Sequence, residues 1–342
     1  MSRSIPLMIL LALAPAAPGQ VKKVLNDFPD RVACVAFSPD GKTLATVTHP
    51  SKGYKDALRL WDVATGKELG QLGIYKFGCS AAVFSPDGKT LAVHSRLLTE
   101  CTIDLWDLAT RKVRRSIKTR RGTGTHLAIS PDSKLLAGAG FGERGAIWDM
   151  ETGKELAILG PKDFVEFDPP APHFTCVIFS PDGKTLATSG FRGILVLWDV
   201  PSGKRRADLV KHTQAVQNVC FAPDGETLYS LGEDWLLVYW DVATGKERKS
   251  VDLRPQSLHR TSYSALSPDG RTLAVLAKGH LRFFDLKEKT FRPDVDWASQ
   301  VGHQGCMAFS PDGKLIATGS GGMPGANTVY LWEVPPRKKP RD

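Results

Sequence analysis

From Val21 onward the chain alternates short apolar runs with tight clusters of polar, glycine and proline residues. One such stretch reads CVAF (34–37), then SPDG, then KTLAT (42–46). The flanking runs are rich in small, β-branched and aromatic residues, as short strands are. SPDG places proline second and glycine fourth, as a type I turn prefers. A second kind of cluster, WDVATGK (61–67), reads as a strand end, a glycine-containing turn and a further run, KELGQLG. The pattern predicts hairpin after hairpin.

Both clusters recur. The first occurs seven times, with its turn-defining apolar residue at Phe37, Phe84, Ile129, Phe179, Phe221, Leu266 and Phe309. The second also occurs seven times and alternates strictly with the first: Trp61, Trp106, Trp148, Trp198, Trp240, Phe284 and Trp332 mark its positions. A fixed-period repeat is the signature of a stacked architecture. Each unit holds four short antiparallel strands forming a sheet apolar on both faces. Such a sheet must lie between neighbours, and radial stacking supplies them.

The paired phrases resemble WD40 repeats across residues 20–342. The resemblance implies an all-β fold: a seven-bladed β-propeller of four-stranded antiparallel blades, formed as a single domain with no linker. It also implies a ring closed by the N-terminal strand. Every repeat but the last has a fourth-strand candidate, whereas only EVPPRKKPRD follows Trp332, and proline is a poor ladder residue. Val21–Phe28 (VKKVLNDF) is therefore expected to complete blade 7. In the family, a His–Ser/Thr–Asp–Trp network fastens a blade. One repeat carries all four, at His212, Ser230, Asp234 and Trp240, and there the network is expected to be structural. Elsewhere the Asp position is Lys55, Glu100, Gly142, Arg192, Lys278 or Ala326, so those blades are expected to rely on apolar packing.

Residues 1–19 stand apart. Arg3 precedes an apolar run from Ile5 to Ala14, followed by small residues and prolines. A membrane-spanning helix needs about 20 apolar residues, and this shorter run reads as a secretory signal peptide. Cleavage is expected after Gly19, with Ala16 as the alternative, giving an exported protein, periplasmic or secreted. No cysteine precedes Cys34, so a lipidated N-terminus is not expected, nor is a transmembrane anchor.

Composition adds little chemistry. The 342 residues are 42% hydrophobic and 24% charged with six cysteines, which excludes a disordered chain and a disulfide-built miniprotein. No GxxxxGK[ST], HExxH, GxSxG or CxxC motif occurs, so no catalytic, metal or cofactor site is expected. His173, His212, His259 and His303 each precede an inner strand of a different blade. The cysteines read as small buried side chains; Cys34 and Cys306 are the pair that ring closure brings together. The net charge of +9 draws on the turn lysines, the tail and RKVRRSIKTRR (111–121), with seven basic residues in eleven. That stretch reads as an outer strand whose charge discourages edge pairing. It has no interleaved aromatics, so nucleic acid is not an expected partner.

Function is expected from surface contacts. The repeated turns would occupy one face, and the loops between second and third strands would occupy the other. From the turn-defining residue to the Trp position, blades 1 to 7 span 24, 22, 19, 19, 19, 18 and 23 residues. Blades 7, 1 and 2 are the long ones and are consecutive in a closed ring. Their extra residues suggest a contiguous ridge with Tyr54, Arg96, Leu97, Leu98 and Met323 as contacts, since loops carry binding function. The insert DFVEFDPPAPH (163–173) is a second candidate. The leading reading is a monomeric, non-enzymatic scaffold for protein partners. The alternative is a propeller enzyme or small-ligand binder with Arg31, His173, Arg260 and His303 ringing the channel mouth.

Overall fold

Each SPDG segment folds as the residues dictate. Gly41 N–H donates to Ser38 O at 2.8 Å, closing the four-residue turn, with Gly41 at φ 70°. Ser38 Oγ donates to Asp40 Oδ1 at 2.6 Å, and the same carboxylate oxygen accepts Lys42 N–H at 3.0 Å. This Ser–Asp clasp recurs at Ser85/Asp87, Ser130/Asp132, Ser180/Asp182, Ser267/Asp269 and Ser310/Asp312. The WD turns are held the same way: Asp62 Oδ1 accepts both Thr65 N–H and Thr65 Oγ–H at 2.6 Å. In blade 2 Arg111 takes the glycine slot of that turn at φ 55°, a left-handed conformation that costs a non-glycine residue about 1 kcal/mol.

The computed structural model describes residues 21–26, 28, 31–49, 56–75, 79–96, 101–119, 126–140, 144–160, 173–253, 261–277, 280–292, 304–320 and 327–336. Strand β1 is Val21–Leu25. Blade 1 is β2 (Arg31–Phe37), β3 (Thr43–His49), β4 (Asp56–Asp62) and β5 (Glu68–Tyr75). Blade 2 is β6 (Cys79–Phe84), β7 (Thr90–Arg96), β8 (Cys101–Asp107) and β9 (Lys112–Thr119). Blade 3 is β10 (His126–Ile129), β11 (Leu135–Ala139), β12 (Gly145–Asp149) and β13 (Glu155–Leu159). Blade 4 is β14 (Phe174–Phe179), β15 (Thr185–Gly190), β16 (Leu195–Asp199) and β17 (Lys204–Asp208). Blade 5 is β18 (Val216–Phe221), β19 (Thr227–Gly232), β20 (Leu236–Asp241) and β21 (Glu247–Asp252). Blade 6 is β22 (Thr261–Leu266), β23 (Thr272–Ala277), β24 (His280–Asp285) and the short β25 (Thr290–Phe291). Blade 7 contributes β26 (Gln304–Phe309), β27 (Leu315–Ser320) and β28 (Val329–Glu333), and β1 is its fourth strand, antiparallel to β28.

The first strand of each blade touches that of the next, from β2 round to β26 and back to β2, so the seven sheets form a closed ring. The apolar core is divided to match. Seven buried clusters occur, and each joins one blade to its neighbour. Every Trp-position side chain lies in the cluster shared with the preceding blade; Trp61, for example, packs with Leu25, Phe28 and Leu331 of the closure. Outer strands are exposed, β9 among them, with the basic run predicted for that edge. Among the described residues no helix is long and apolar enough to cross a membrane.

The turn clasps make acid sensitivity a property of the fold. The serine hydroxyl beside each of Asp40, Asp132 and Asp182 holds that carboxyl below its ordinary value. Burial pushes His126, at the start of β10, down to about 4. In both cases the folded state binds fewer protons than the unfolded chain, so stability falls as pH falls. The His126 share is lost between its ordinary pKa near 6.5 and about 4, and the carboxylate share below about 4. Thermal melts from pH 7 to pH 3 should show both phases. His126→Gln should remove only the upper one, and a melt independent of pH across that range would contradict the account.

Candidate functional site

The residues predicted as a network meet in blade 5. Asp234 Oδ1 accepts from His212 Nδ1 at 2.9 Å, and His212 Nε2 lies 2.7 Å from Ser230 Oγ. The carboxylate also accepts Thr213 N–H at 2.8 Å and Leu236 N–H at 3.2 Å. An Asp–His–Ser chain is the composition of a hydrolytic triad, but here the serine oxygen is engaged: Trp240 Nε1–H donates to it at 2.8 Å. Ser230 is 1% exposed and Trp240 2%. The chain of bonds ties the loop before β18 to β19 and β20, and it lies buried, with His212 6% exposed.

Part of this network survives where the sequence predicted apolar packing alone. Trp61 donates to Thr46 Oγ1 at 2.9 Å, Trp198 to Thr188 Oγ1 at 2.8 Å and Trp332 to Thr318 Oγ1 at 3.1 Å. Blades 1, 4 and 7 thus keep the Trp–hydroxyl bond without the His and Asp. Blade 2 has Val93 at the hydroxyl position, and Trp106 donates instead to Tyr75 Oη of blade 1 at 2.7 Å. Blade 6 has Val275 there and Phe284 in place of Trp, so donor and acceptor are absent together. A buried indole N–H favours a partner, and the paired change in blade 6 fits that preference, although blade 3 keeps the buried Trp148 with Gly138 at the hydroxyl position. Thr188→Val should cost about 1–3 kcal/mol by stranding the Trp198 N–H. Adding Trp198→Phe, the combination of blade 6, should recover most of that loss. A denaturation double-mutant cycle with no coupling between the two would contradict the pairing.

The family model for the WD domain, G-beta repeat, matches residues 19–62, 169–199, 203–241 and 298–333. The chain carries WD40 repeats. The matched WD40 segments hold the Trp-bearing strands of blades 1, 4, 5 and 7, which are the blades whose Trp meets a Ser or Thr hydroxyl.

The WD40 topology locates the other candidates. Arg31 opens β2 and His173 immediately precedes β14, both at the loop end of an innermost strand. Blades 1 and 4 are not adjacent, so the fold does not place these two side by side; His173 stacks edge-on to Phe191, 5.9 Å between centroids. Arg260 and His303 lie outside the described residues, as do Tyr54, Leu97, Leu98, Met323 and residues 163–172 of the insert. Arg96 ends β7 at the face of the long loops. All six cysteines are free thiols. Cys34 Sγ donates to Ala82 O and Cys306 Sγ to Val32 O, and burial raises both thiol pKa values. Among the described residues no group of three or more His, Cys, Asp or Glu is placed to hold a metal ion.

Three crevices open between neighbouring blades on the side of the repeated turns, at blades 1/2, 4/5 and 5/6. They are built from equivalent positions but not from equivalent residues. The residue after Leu44, Leu91, Leu136, Leu186, Leu273 and Ile316 in the second strands of six blades is alanine (Ala45, Ala92, Ala137, Ala187, Ala274 and Ala317), and after Leu228 in blade 5 it is Tyr229. Its cross-strand partner is Leu60, Leu105, Ile147, Leu197, Phe283 or Leu331 in those blades and Tyr239 in blade 5. The anomaly is written in the sequence as TLYS against TLAT. It is missed when the turn phrases alone are aligned.

Proposed function

We propose that this WD40 propeller is a non-catalytic scaffold that docks protein partners outside the cytoplasm through its variable-loop face. The observation that carries the non-catalytic part is the closed state of the blade 5 network. Ser230 accepts from the buried Trp240, and Ser230 and His212, 1% and 6% exposed, lie where no substrate reaches them. The docking part rests on the length of the loops in blades 7, 1 and 2 and on the use that WD40 propellers generally make of their surfaces. Fold alone does not assign a partner. The signal-like residues 1–19 support export.

The test joins both parts. Tagged protein should be recovered from the cell envelope or medium with its N-terminus at Gln20, and should capture a stoichiometric partner there. Alanine at Arg96, Leu97 and Leu98 together should abolish that capture without lowering the melting temperature. Capture indifferent to the ridge would overturn the docking face. Recovery of the intact chain from the cytoplasm would overturn export. Substrate depletion by the purified protein would favour the channel-mouth alternative.

A further inference from the structure

The crevice between blades 5 and 6 differs in kind from its counterparts. It encloses about 440 Å³ and is lined by Tyr229, Tyr239, Arg248, Lys249, Arg271 and Lys287, over a floor of Thr227, Gly270 and Leu286. The tyrosine rings meet edge to face, 5.0 Å between centroids at 79°. Tyr239 Oη–H donates to Leu286 O at 3.2 Å, tying the two blades together. Lys249 Nζ sits 4.0 Å above the Tyr239 ring, a cation–π contact that holds the ammonium at the crevice mouth. Tyr239 is buried, Tyr229 is half-buried, and the four cationic side chains are exposed.

The equivalent crevice at blades 4/5 supplies an internal control. Where blade 5/6 has Tyr229, Tyr239 and Lys249, blade 4 has Ala187, Leu197 and Ala207. Where blade 6 brings Arg271 and Lys287, blade 5 brings Glu226 and Ala243. Tyr239 belongs to the core shared by blades 5 and 6, but the fold does not demand the half-buried Tyr229 or the exposed cations, since the same scaffold stands without them elsewhere in the ring. Charge is not balanced within the crevice either. Arg248 is neutralised by Asp241, Nη2 to Oδ2 at 2.6 Å. Lys249, Arg271 and Lys287 have no ion pair among the described residues. Burial, together with repulsion from Lys289, lowers the Lys249 pKa, which an incoming anion would relieve.

We infer that the blade 5/6 crevice is a docking site for an acidic peptide segment of a partner protein, a carboxylate side chain entering beside the half-buried Tyr229 to meet Lys249, Arg271 and Lys287. Tyrosine supplies an amphipathic wall at little entropic cost, and Arg and Lys supply charge-assisted hydrogen bonds. The surroundings select a short peptide over a long polyanion. Asp224 and Glu226 lie within electrostatic reach of Arg248 on one side, and Asp269 and Glu288 follow in the turns of blade 6. A nucleic acid or sulfated polysaccharide running along the surface would meet these carboxylates, whereas one or two inserted side chains do not. The inference rests on the scaffold reading for the kind of molecule that presents the anion, but it concerns the opposite face and has its own test.

That test uses the purified full chain and fluorescein-labelled short peptides of alternating Glu and Gly, with a Gln–Gly peptide as the neutral control. The acidic peptide should bind saturably and one-to-one by fluorescence anisotropy, more weakly as salt screens the charges, and the Gln peptide should not bind. Tyr229→Ala with Lys249→Ala, the residues that blades 3 and 4 carry at these slots, should weaken binding about tenfold or more in a protein that still melts cooperatively, and Lys249→Ala alone should weaken it with an unchanged melting temperature. Lys112→Ala, an equal loss of one charge on β9, should leave binding intact. Failure of the acidic peptide to bind, equal weakening by the β9 variant, or tighter binding of polyphosphate that ignores Tyr229→Ala would each overturn the inference. Partner capture through the variable-loop ridge would survive any of these results, so the two readings fail separately.

Discussion

Deletion of residues 21–28 should lower the melting temperature drastically or leave no folded propeller at all. β1 lends blade 7 its outer strand, from Val21 opposite Trp332 to Leu25 opposite Val329. It also delivers two anchors to the junction with blade 1. Leu25 is 2% exposed, and Phe28, 6% exposed, packs on Trp61 with ring centroids 5.1 Å apart. Removing a buried Leu costs about 2–5 kcal/mol and a buried Phe about 3–5 kcal/mol. Together these rival the whole stability of an ordinary domain, about 5–15 kcal/mol. The bare edge of β28 would also be left open to pairing with another chain. Phe28→Ala alone should destabilise by its single share, and a synthetic 20–29 peptide added to the deleted protein should restore part of the loss. A deletion variant melting at the full-length temperature would contradict the closure.

The second large effect is expected at His212. Replacing it with alanine leaves Asp234, whose side chain is 7% exposed, with only the Thr213 and Leu236 N–H donors. Ser230 loses its histidine partner as well. Stranding a buried carboxylate and opening a cavity at once should cost about 3–5 kcal/mol, read as a shift of the urea midpoint. The effect should far exceed that of alanine at His173, whose imidazole precedes β14 and is only half-buried. A His212→Ala variant unfolding at the wild-type midpoint would show that the network does not fasten the blade.

The ring and its closure were legible because the determinants are local and repeated. SPDG and WDVATGK state their turns in their own residues, and the missing fourth strand after Trp332 identified β1 by elimination. The blade 5 network was legible for the same reason, four residues at spacings the resemblance specified. The persistence of the Trp–hydroxyl bond in blades 1, 4 and 7 was less visible, since Thr46, Thr188 and Thr318 read as ordinary strand threonines until the register sets them beside the indoles. The blade 5/6 crevice was not legible from turns at all. It takes Tyr229 and Tyr239 from one blade and Arg271 and Lys287 from the next, and only the stacking of blades makes them neighbours. The long loops of blades 7, 1 and 2 announced their length but not a chemistry.

Ring closure also sets an order of events. β1 precedes and β28 follows all the other described strands, so the contact that locks the ring, Leu25 with Val329, encloses them all. Its loop-closure entropy grows only logarithmically with that span, but the search for it is slow compared with hairpin formation. Each of blades 1 to 6 has its four strands contiguous in sequence, whereas β1 has no partner until β28 is in place. Until they pair, blade 7 lacks its fourth strand and the junction with blade 1 lacks Leu25 and Phe28. Folding speed and resistance to misassembly are governed at this single seam, whatever the six continuous blades achieve on their own.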